Sequence, residues 1–379
     1  MNQIKTWSQE ETDILIENID KKTYKMISEL LIEKGYFRTV EGIRKKSKRI
    51  IKETNEDISG KVEDNTIGLL NVNKTNILNK YIDNLKDIIE KVKTEISEKP
   101  IAKKNKTSED KEALILMLSD LHIGKEVKDY EGNVLYNSKI AITYLQKLIV
   151  RLKHVMEHAG KGTNIDEIVI LCIGDLVDNE AIYSSQPFHL DIFVADQVKL
   201  ATKLIWELIV EASNIKGIRK VSVVSVRGNH GRMTFGSENS NWDNVIHNNL
   251  YMINSIANNP KIEIGEHCGE FNIATVKGHR ILIRHYAPSQ TETAAAKAKF
   301  SGWIDTHKVD AICYGHYHHY SIGNFNNRTI VRNGSLPGSD DLAERMAVKS
   351  DPCQMVFGVS KNRLPTFIYP LTFNEGKML

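Results

Sequence analysis

Five short clusters of acidic, amide and imidazole side chains stand out in this 379-residue chain: Asp120-Leu121-His122, Gly174-Asp175-Leu176-Val177-Asp178, Gly228-Asn229-His230, His285, and Gly315-His316-Tyr317-His318. Asp120, His122, Asp175, Asn229, His285, His316 and His318 offer carboxylate oxygens, an amide oxygen and imidazole nitrogens. That mixture suits borderline divalent ions such as Mn²⁺, Fe²⁺ or Zn²⁺, whereas Ca²⁺ or Mg²⁺ favour shells of oxygen alone. A carboxylate such as Asp175 can bridge two ions. Two ions about 3.5–4 Å apart can hold an attacking hydroxide, orient a phosphate and stabilise the charge of an in-line displacement.

The elements that must position these groups are legible just upstream of each. Ala113 to Leu118, Ile168 to Ile173, Val221 to Val226, Ile281 to Arg284 and Ala311 to Tyr314 are short apolar runs that stop abruptly at the polar clusters. They read as buried strands delivering ligands at their C-terminal ends, where sites form in sheets with helical crossovers. In Asp120-x-His122 and His316-x-His318, alternation along an extended chain puts both side chains on one side.

Taken in order, these motifs over residues 113 to 335 resemble the calcineurin-like metallophosphoesterase superfamily. The resemblance implies an α/β fold: a two-layer metallophosphoesterase β-sandwich flanked by helices, with a dinuclear site. By motif, Asp120, His122, Asp175 and His318 would bind one ion, and Asp175, Asn229, His285 and His316 the other. His230 would protonate the leaving group or stabilise the transition state, and Asp178 would orient a ligand. Asn333-Gly334-Ser335 resembles the strand-turn that follows the family's last histidines. Within the superfamily the chain resembles the repair-nuclease type, the SbcCD and Mre nuclease subunits, although many DNA-repair nucleases of this superfamily carry an acid after the Asn-His pair. Here Gly231 and Arg232 follow, and Arg232 is a candidate phosphate contact, because a guanidinium suits bidentate oxyanion binding. Ala181 to Leu200, with Tyr183, Phe188 and Phe193, reads as a substrate-covering insertion leading into an amphipathic helix. The remaining histidines, such as His154 and His247, read as ordinary surface or core residues, and Cys172 and Cys313 as packing residues.

The N-terminal third has a different character, since the first of the 13 histidines is His122. Residues 7 to 52 read as three short helices. Ser8 with Glu11 is a capping-box pattern ahead of Ile14, Leu15 and Ile19; Ile27, Leu30 and Leu31 form a second apolar set. Val40, Ile43, Ser47 and Ile50 point inward on a third helix, leaving Arg44, Lys45, Lys48 and Arg49 on its other faces. Ser8 to Asp20 holds five acids and no Lys or Arg, whereas Arg38 to Lys52 holds seven bases and one acid. The overall charge of +3 therefore conceals a dipolar unit. A basic third helix is the electrostatic pattern of a major-groove reader. Trp7-Ser8-x-Glu10-Glu11 followed by Arg38-Thr39-x-x-x-Ile43-Arg44-x-Lys46 is similar to Myb/SANT-like DNA-binding domains, with Tyr24 and Ile43 where typical repeats carry later tryptophans.

The chain is thus expected to comprise a three-helix DNA-binding domain (1–55), a linker (56–111) and a metallophosphoesterase domain (112–379). Within the linker, Leu78, Ile82, Leu85, Ile89, Val92 and Ile96 follow a heptad seam, predicting a helix over 76–98 and a homodimer through 78–96. Apolar content of 41% and charged content of 26% exclude wholesale disorder and a membrane bundle. The four separated cysteines suit a reducing cytoplasm, and no apolar run approaches the length of a membrane span. The expected activity is hydrolysis of DNA phosphodiester bonds with two divalent ions, Mn²⁺ foremost. The alternatives are a phosphomonoesterase such as a Ser/Thr protein phosphatase, which the Asn179 after Asp178 argues against, and a DNA-binding regulator with a secondary phosphoesterase fold. Nothing in the residues names or excludes an ATPase partner.

Overall fold

Alternate residues of the apolar runs face one core shared by two sheets. In the computed structural model, which describes residues 7–18, 24–59, 111–159, 164–180, 182–183, 186–233, 239–289, 293–339 and 350–373, the chain divides into two compact units, Met1–Lys86 and Asp87–Leu379. The heptad segment and most of the expected linker, residues 60–110, lie outside the described residues.

In the first unit, α1 (Gln9–Asn18), α2 (Tyr24–Glu33) and α3 (Val40–Ser59) enclose Ile14, Leu15, Ile27, Leu31 and Ile43. The capping box is formed: Ser8 N–H donates to Glu11 Oε2 at 2.7 Å, and Glu11 N–H to Ser8 Oγ at 3.2 Å. Two expectations are corrected. Val40 is exposed, because it opens α3 ahead of the core contact made by Ile43 and Ser47. Residues 56–59, expected as linker, continue α3, consistent with the good helix former Glu56. Arg38 is also withdrawn from the basic tally. Its Nε donates to the buried Glu11 at 2.6 Å, and its guanidinium covers the Trp7 ring at 4.9 Å. That contact holds Glu11 down at about 2, the Arg38 hydrogen bond outweighing the effect of burial.

The second unit contains a six-stranded sheet ordered β13 (Ile368–Thr372), β12 (Cys353–Val359), β1 (Lys111–Leu118), β4 (Asn164–Ile173), β5 (Lys220–Val226), β6 (Ile262–Gly269), and a five-stranded sheet ordered β10 (Ser321–Phe325), β11 (Arg328–Arg332), β9 (Ala311–Tyr314), β8 (His279–Arg284), β7 (Phe271–Val276). A separate short pair joins β2 (Val127–Lys128) and β3 (Val134–Tyr136). The strands that matter here are β1 (Lys111–Leu118), β4 (Asn164–Ile173) and β5 (Lys220–Val226), mutually parallel in the first sheet, and β8 (His279–Arg284) and β9 (Ala311–Tyr314), parallel in the second. Ala113, Ile115 and Met117 of β1 and Val169, Leu171 and Ile173 of β4 pack against Ile281, Ile283, Ala311 and Cys313 of the opposite sheet. Leu114, Leu116 and Leu118 are buried too, on the other face. A strand covered on both faces reads as a continuous apolar run, which explains the sequence pattern. On that outer face α5 (Val194–Ser213) and α6 (Trp242–Ala257) pack against β5 and β6 (Ile262–Gly269), and α4 (Ser138–Ala159) packs on α5. The outer face of the second sheet is covered by α7 (Ala294–His307) through Ala296 and Phe300. The β-sandwich flanked by helices is therefore present. No helix among the described residues is long and apolar enough to cross a membrane.

Candidate metal centre

The loops leaving β1 and β4 continue the pairing of their strands. Asp120 N–H donates to Gly174 O at 3.1 Å, His122 N–H to Asp175 O at 3.1 Å and Ile123 N–H to Leu176 O at 3.2 Å. The loop after β9 reaches across from the second sheet, where His316 N–H donates to both Asp120 carboxylate oxygens, at 3.0 and 3.1 Å. His285, just past β8, crosses the other way and places Nδ1 2.7 Å from Ile173 O. A proton on that nitrogen leaves the Nε2 lone pair facing the centre. Gly228 is required by the same crowding, because a Cβ there would lie 2.2 Å from Asp175 Oδ1.

The predicted ligands converge in two groupings joined by a third. Asp120, His122 and His318 form one, with the Nε2 atoms of the two histidines 3.1 Å apart. Asp175, His285 and His316 form another; Asn229 Oδ1 lies 3.0 Å from His285 Nε2 and 2.8 Å from His316 Nδ1. His122, Asp175 and His230 connect them. Five ligand residues, Asp120, His122, Asp175, His316 and His318, have φ between 45° and 75°, a region that side-chain-bearing residues rarely occupy. Backbone strain of this kind costs about 1–3 kcal/mol per residue and persists only where surrounding contacts enforce it.

The electrostatics suit cations. Burial pushes the Asp120 carboxyl up, whereas His285, His230 and His122 hold Asp175 well below the usual range despite its burial. Asp178 is likewise held down against burial by hydrogen bonds from His122 and His230. Burial disfavours charge on His285, yet the carboxylates, Asp175 foremost, raise it to about 10. Burial and the neighbouring imidazoles lower His316 to about 4. A buried carboxylate cluster that draws protons onto imidazoles, with ring nitrogens of His122 and His318 3.1 Å apart, fits divalent metal ions in place of those protons.

His230 projects from the loop after β5. Its N–H donates to Asp175 Oδ1 at 2.7 Å, and Nδ1 lies 3.0 Å from Asp178 O. Burial opposes a charge on His230, but Asp175 and Asp178 together raise it to about 9. Arg232 is exposed, with its guanidinium 5.9 Å from the Tyr183 ring centre. Arg44, Lys45 and Arg49 are exposed in the separate helical unit.

Several positioning groups escaped the sequence reading. Asp243, in the first turn of α6, accepts from Gly228 N–H at 2.7 Å, Leu176 N–H at 3.0 Å and Asp175 N–H at 3.2 Å. Burial, then Asp175, pushes it up to about 6. Asn241 caps α6 and donates to Gly228 O at 2.9 Å. Gln354 clamps the Asp120 loop through Ser119, accepting its N–H at 3.0 Å and donating to its carbonyl at 3.1 Å. Asn179 donates to the carbonyls of His230 and Arg232, at 2.7 and 3.0 Å. The expected insertion is shorter than read: residues 194–200 belong to α5, and the buried Gln186 ties the preceding segment to Asp178 and lies 3.5 Å from His230 Nδ1.

Residues 113–320, more than half of the chain, match the family model described as calcineurin-like phosphoesterase, and the chain belongs to that family. It is accordingly a hydrolase of the metallophosphoesterase type. Similar solved structures include vacuolar protein sorting 29 from Cryptosporidium parvum, at 13% identity over 70% of this chain and 94% of that one, with a TM-score of 0.34. Others are an archaeal phosphodiesterase (11% identity, 69% and 99% coverage, TM-score 0.33) and the zinc complex of vacuolar protein sorting 29 from Entamoeba histolytica (13%, 69% and 99%, 0.29). No curated protein sequence matches the chain.

Proposed function

We propose that the chain is a metal-dependent phosphodiesterase that hydrolyses DNA phosphodiester bonds by a two-metal mechanism, as a cytoplasmic enzyme of the repair-nuclease type. The observation that carries this reading is the placement of Asp175, which stands in two adjoining ligand groupings. Asp120, His122, Asp175 and His318 would hold one divalent ion, and Asp175, Asn229, His285 and His316 the other. When bound, such ions supply Lewis acidity to the phosphate and lower the pKa of an attacking water. The mixed nitrogen and oxygen donors favour Mn²⁺, with Fe²⁺ or Zn²⁺ as alternatives.

His230 holds the proton for the departing ribose oxygen. Its Nδ1 faces Asp178 O, so Nε2 remains to donate. Arg232 contributes positive charge to a phosphate oxygen. The exposed Arg44, Lys45 and Arg49, with Lys48 on the same helix, neutralise DNA phosphates and raise the local substrate concentration. A second copy pairs through residues 78–96.

A diester is favoured over a monoester by Asn179. A monoester carries an extra negative charge, and the residue after Asp178 offers no cation; its amide is committed to the carbonyls of His230 and Arg232. Purified protein with Mn²⁺ should cleave bis-nitrophenyl phosphate faster than the mono-ester, and should hydrolyse labelled DNA. His230→Ala should lower kcat about 10²–10⁴-fold. Robust diesterase activity in Asp175→Ala would overturn the mechanism. Faster monoester cleavage would favour the phosphatase reading, and DNA affinity without any hydrolysis the regulator reading.

A further inference from the structure

Two tyrosines flank the candidate centre at opposite ends. The Tyr183 ring lies 5.5 Å from His230, whose own ring is 4.5 Å from His122. The Tyr286 ring lies 5.2 Å from His316, whose ring is 5.2 Å from His285. Both tyrosines are half-exposed, 47% and 50%, beside a cluster of charged and polar groups where a large apolar face gains nothing from packing.

Both are also braced. Gln186 Oε1 accepts the Tyr183 N–H at 3.4 Å, and Tyr183 O accepts the Gln186 N–H at 3.0 Å; Gln186 is itself buried and bonded to Asp178. The Tyr286 ring lies 6.1 Å from that of Tyr317, whose hydroxyl in turn donates to Ala287 O at 2.9 Å. Arg232 lies over the Tyr183 ring, so one flank pairs an aromatic face with a cation.

We infer that Tyr183 and Tyr286 are stacking platforms for the unpaired bases on either side of the scissile phosphate, so that the substrate is a single strand rather than an intact duplex. The inference rests on the phosphodiesterase reading above and names its substrate class. Base stacking on an aromatic side chain is worth about 1–3 kcal/mol per base and tolerates any sequence. In a duplex both faces of each base are already occupied, and extrusion costs a few kcal/mol. A phosphate centre between two preorganised rings and a guanidinium matches one unstacked step of a strand in both shape and charge.

The test uses the full chain with Mn²⁺ and a thymidine trimer, too short to bridge to a second binding surface, beside the same trimer with abasic sugars flanking the central phosphate. The base-bearing trimer should give a kcat/KM at least about tenfold higher. Tyr183→Leu and Tyr286→Leu should each lower that value about tenfold and leave the abasic trimer unchanged, and Tyr→Phe at either position should restore it. Equal rates on the two trimers, or a loss in the leucine variants that is the same for both, would overturn the inference. A trimer carrying 2-aminopurine provides a readout independent of turnover. Quenching on binding that is lost in the leucine variants upholds the stacking role even if no trimer is cleaved, in which case the hydrolytic reading fails alone. Absence of quenching overturns the stacking role itself.

Discussion

Asp243 Oδ2 accepts the Gly228 backbone N–H at 2.7 Å, and this bond ties the first turn of α6 to the loop that carries Asn229 and His230. The same carboxylate holds the amides of Asp175 and Leu176, so one side chain joins two ligand-bearing loops. Asp243→Ala leaves three buried donors without their acceptor. Each such loss costs about 1–3 kcal/mol, so the variant should be destabilised by at least about 3 kcal/mol in urea unfolding. Asp243→Asn keeps an acceptor oxygen and should recover part of it. A change below about 0.5 kcal/mol in Asp243→Ala would refute the clamp.

The acid missing after His230 has a steric explanation. A Cβ at Gly231 would lie 2.1 Å from Asn241 Oδ1 and 3.0 Å from Asp243 Oδ2. Gly231→Asp should therefore disrupt the loop and lose activity, and it should not recover through the added charge. An active, well-folded Gly231→Asp protein, judged by rate and by near-UV circular dichroism, would contradict this.

Metal uptake should release protons. In the metal-free protein His285 is held at about 10, so near pH 7.5 it carries a proton that a ligated ion must displace. Apparent affinity should then rise with pH up to that value. Calorimetric titration with Mn²⁺ in two buffers of different ionisation enthalpy should give different heats, corresponding to release of about one proton or more per protein. Identical heats would exclude a protonated ligand.

The helical unit should loosen in acid. Glu11 is depressed from 4.5 to about 2, chiefly by the Arg38 hydrogen bond. A carboxylate whose folded value is lowered stabilises above the unfolded value and loses that contribution as pH falls toward the folded one. The contribution is complete above about 4.5 and disappears toward about 2. Hydrogen exchange in α1 and α2, corrected for intrinsic rate, should quicken between pH 5 and pH 3, and Glu11→Gln should remove the difference.

If α3 binds DNA phosphates, its bases should set the salt dependence. Arg44→Ala, Lys45→Ala and Arg49→Ala should each flatten the slope of log K against log salt by up to about 0.9, measured by fluorescence anisotropy with duplex DNA. An unchanged slope in the triple variant would remove this helix from the interface.

The ligands themselves were legible because each apolar run ends where its metal-type residues begin, and a strand end is a place the sequence marks. Their supports were not. Asp243 and Asn241 stand in an Asn-x-Asp pattern that reads as ordinary helix capping, and they lie well beyond His230 in the chain. Gln354 is a single polar residue inside the apolar strand Cys353–Val359, whose pairing beside β1 has no periodic signal to announce it. The left-handed backbone at Asp120, Asp175 and His316 was equally hidden, since glycine is the residue that normally advertises such a conformation. Val40 was misplaced for a simpler reason, as helical periodicity does not say which end of an apolar stripe falls short of the core.

The ligands are divided between the two layers of the sandwich: Asp120, Asp175 and Asn229 follow strands of the six-stranded sheet, and His285, His316 and His318 follow strands of the five-stranded one. A cation seated among them is therefore a staple across the layers as well as a reagent. At a hundredfold excess over its dissociation constant, such a ligand adds about 2.7 kcal/mol to the folded state. Chelation should be felt far from the centre, as slippage between sheets whose own hydrogen bonds stay intact.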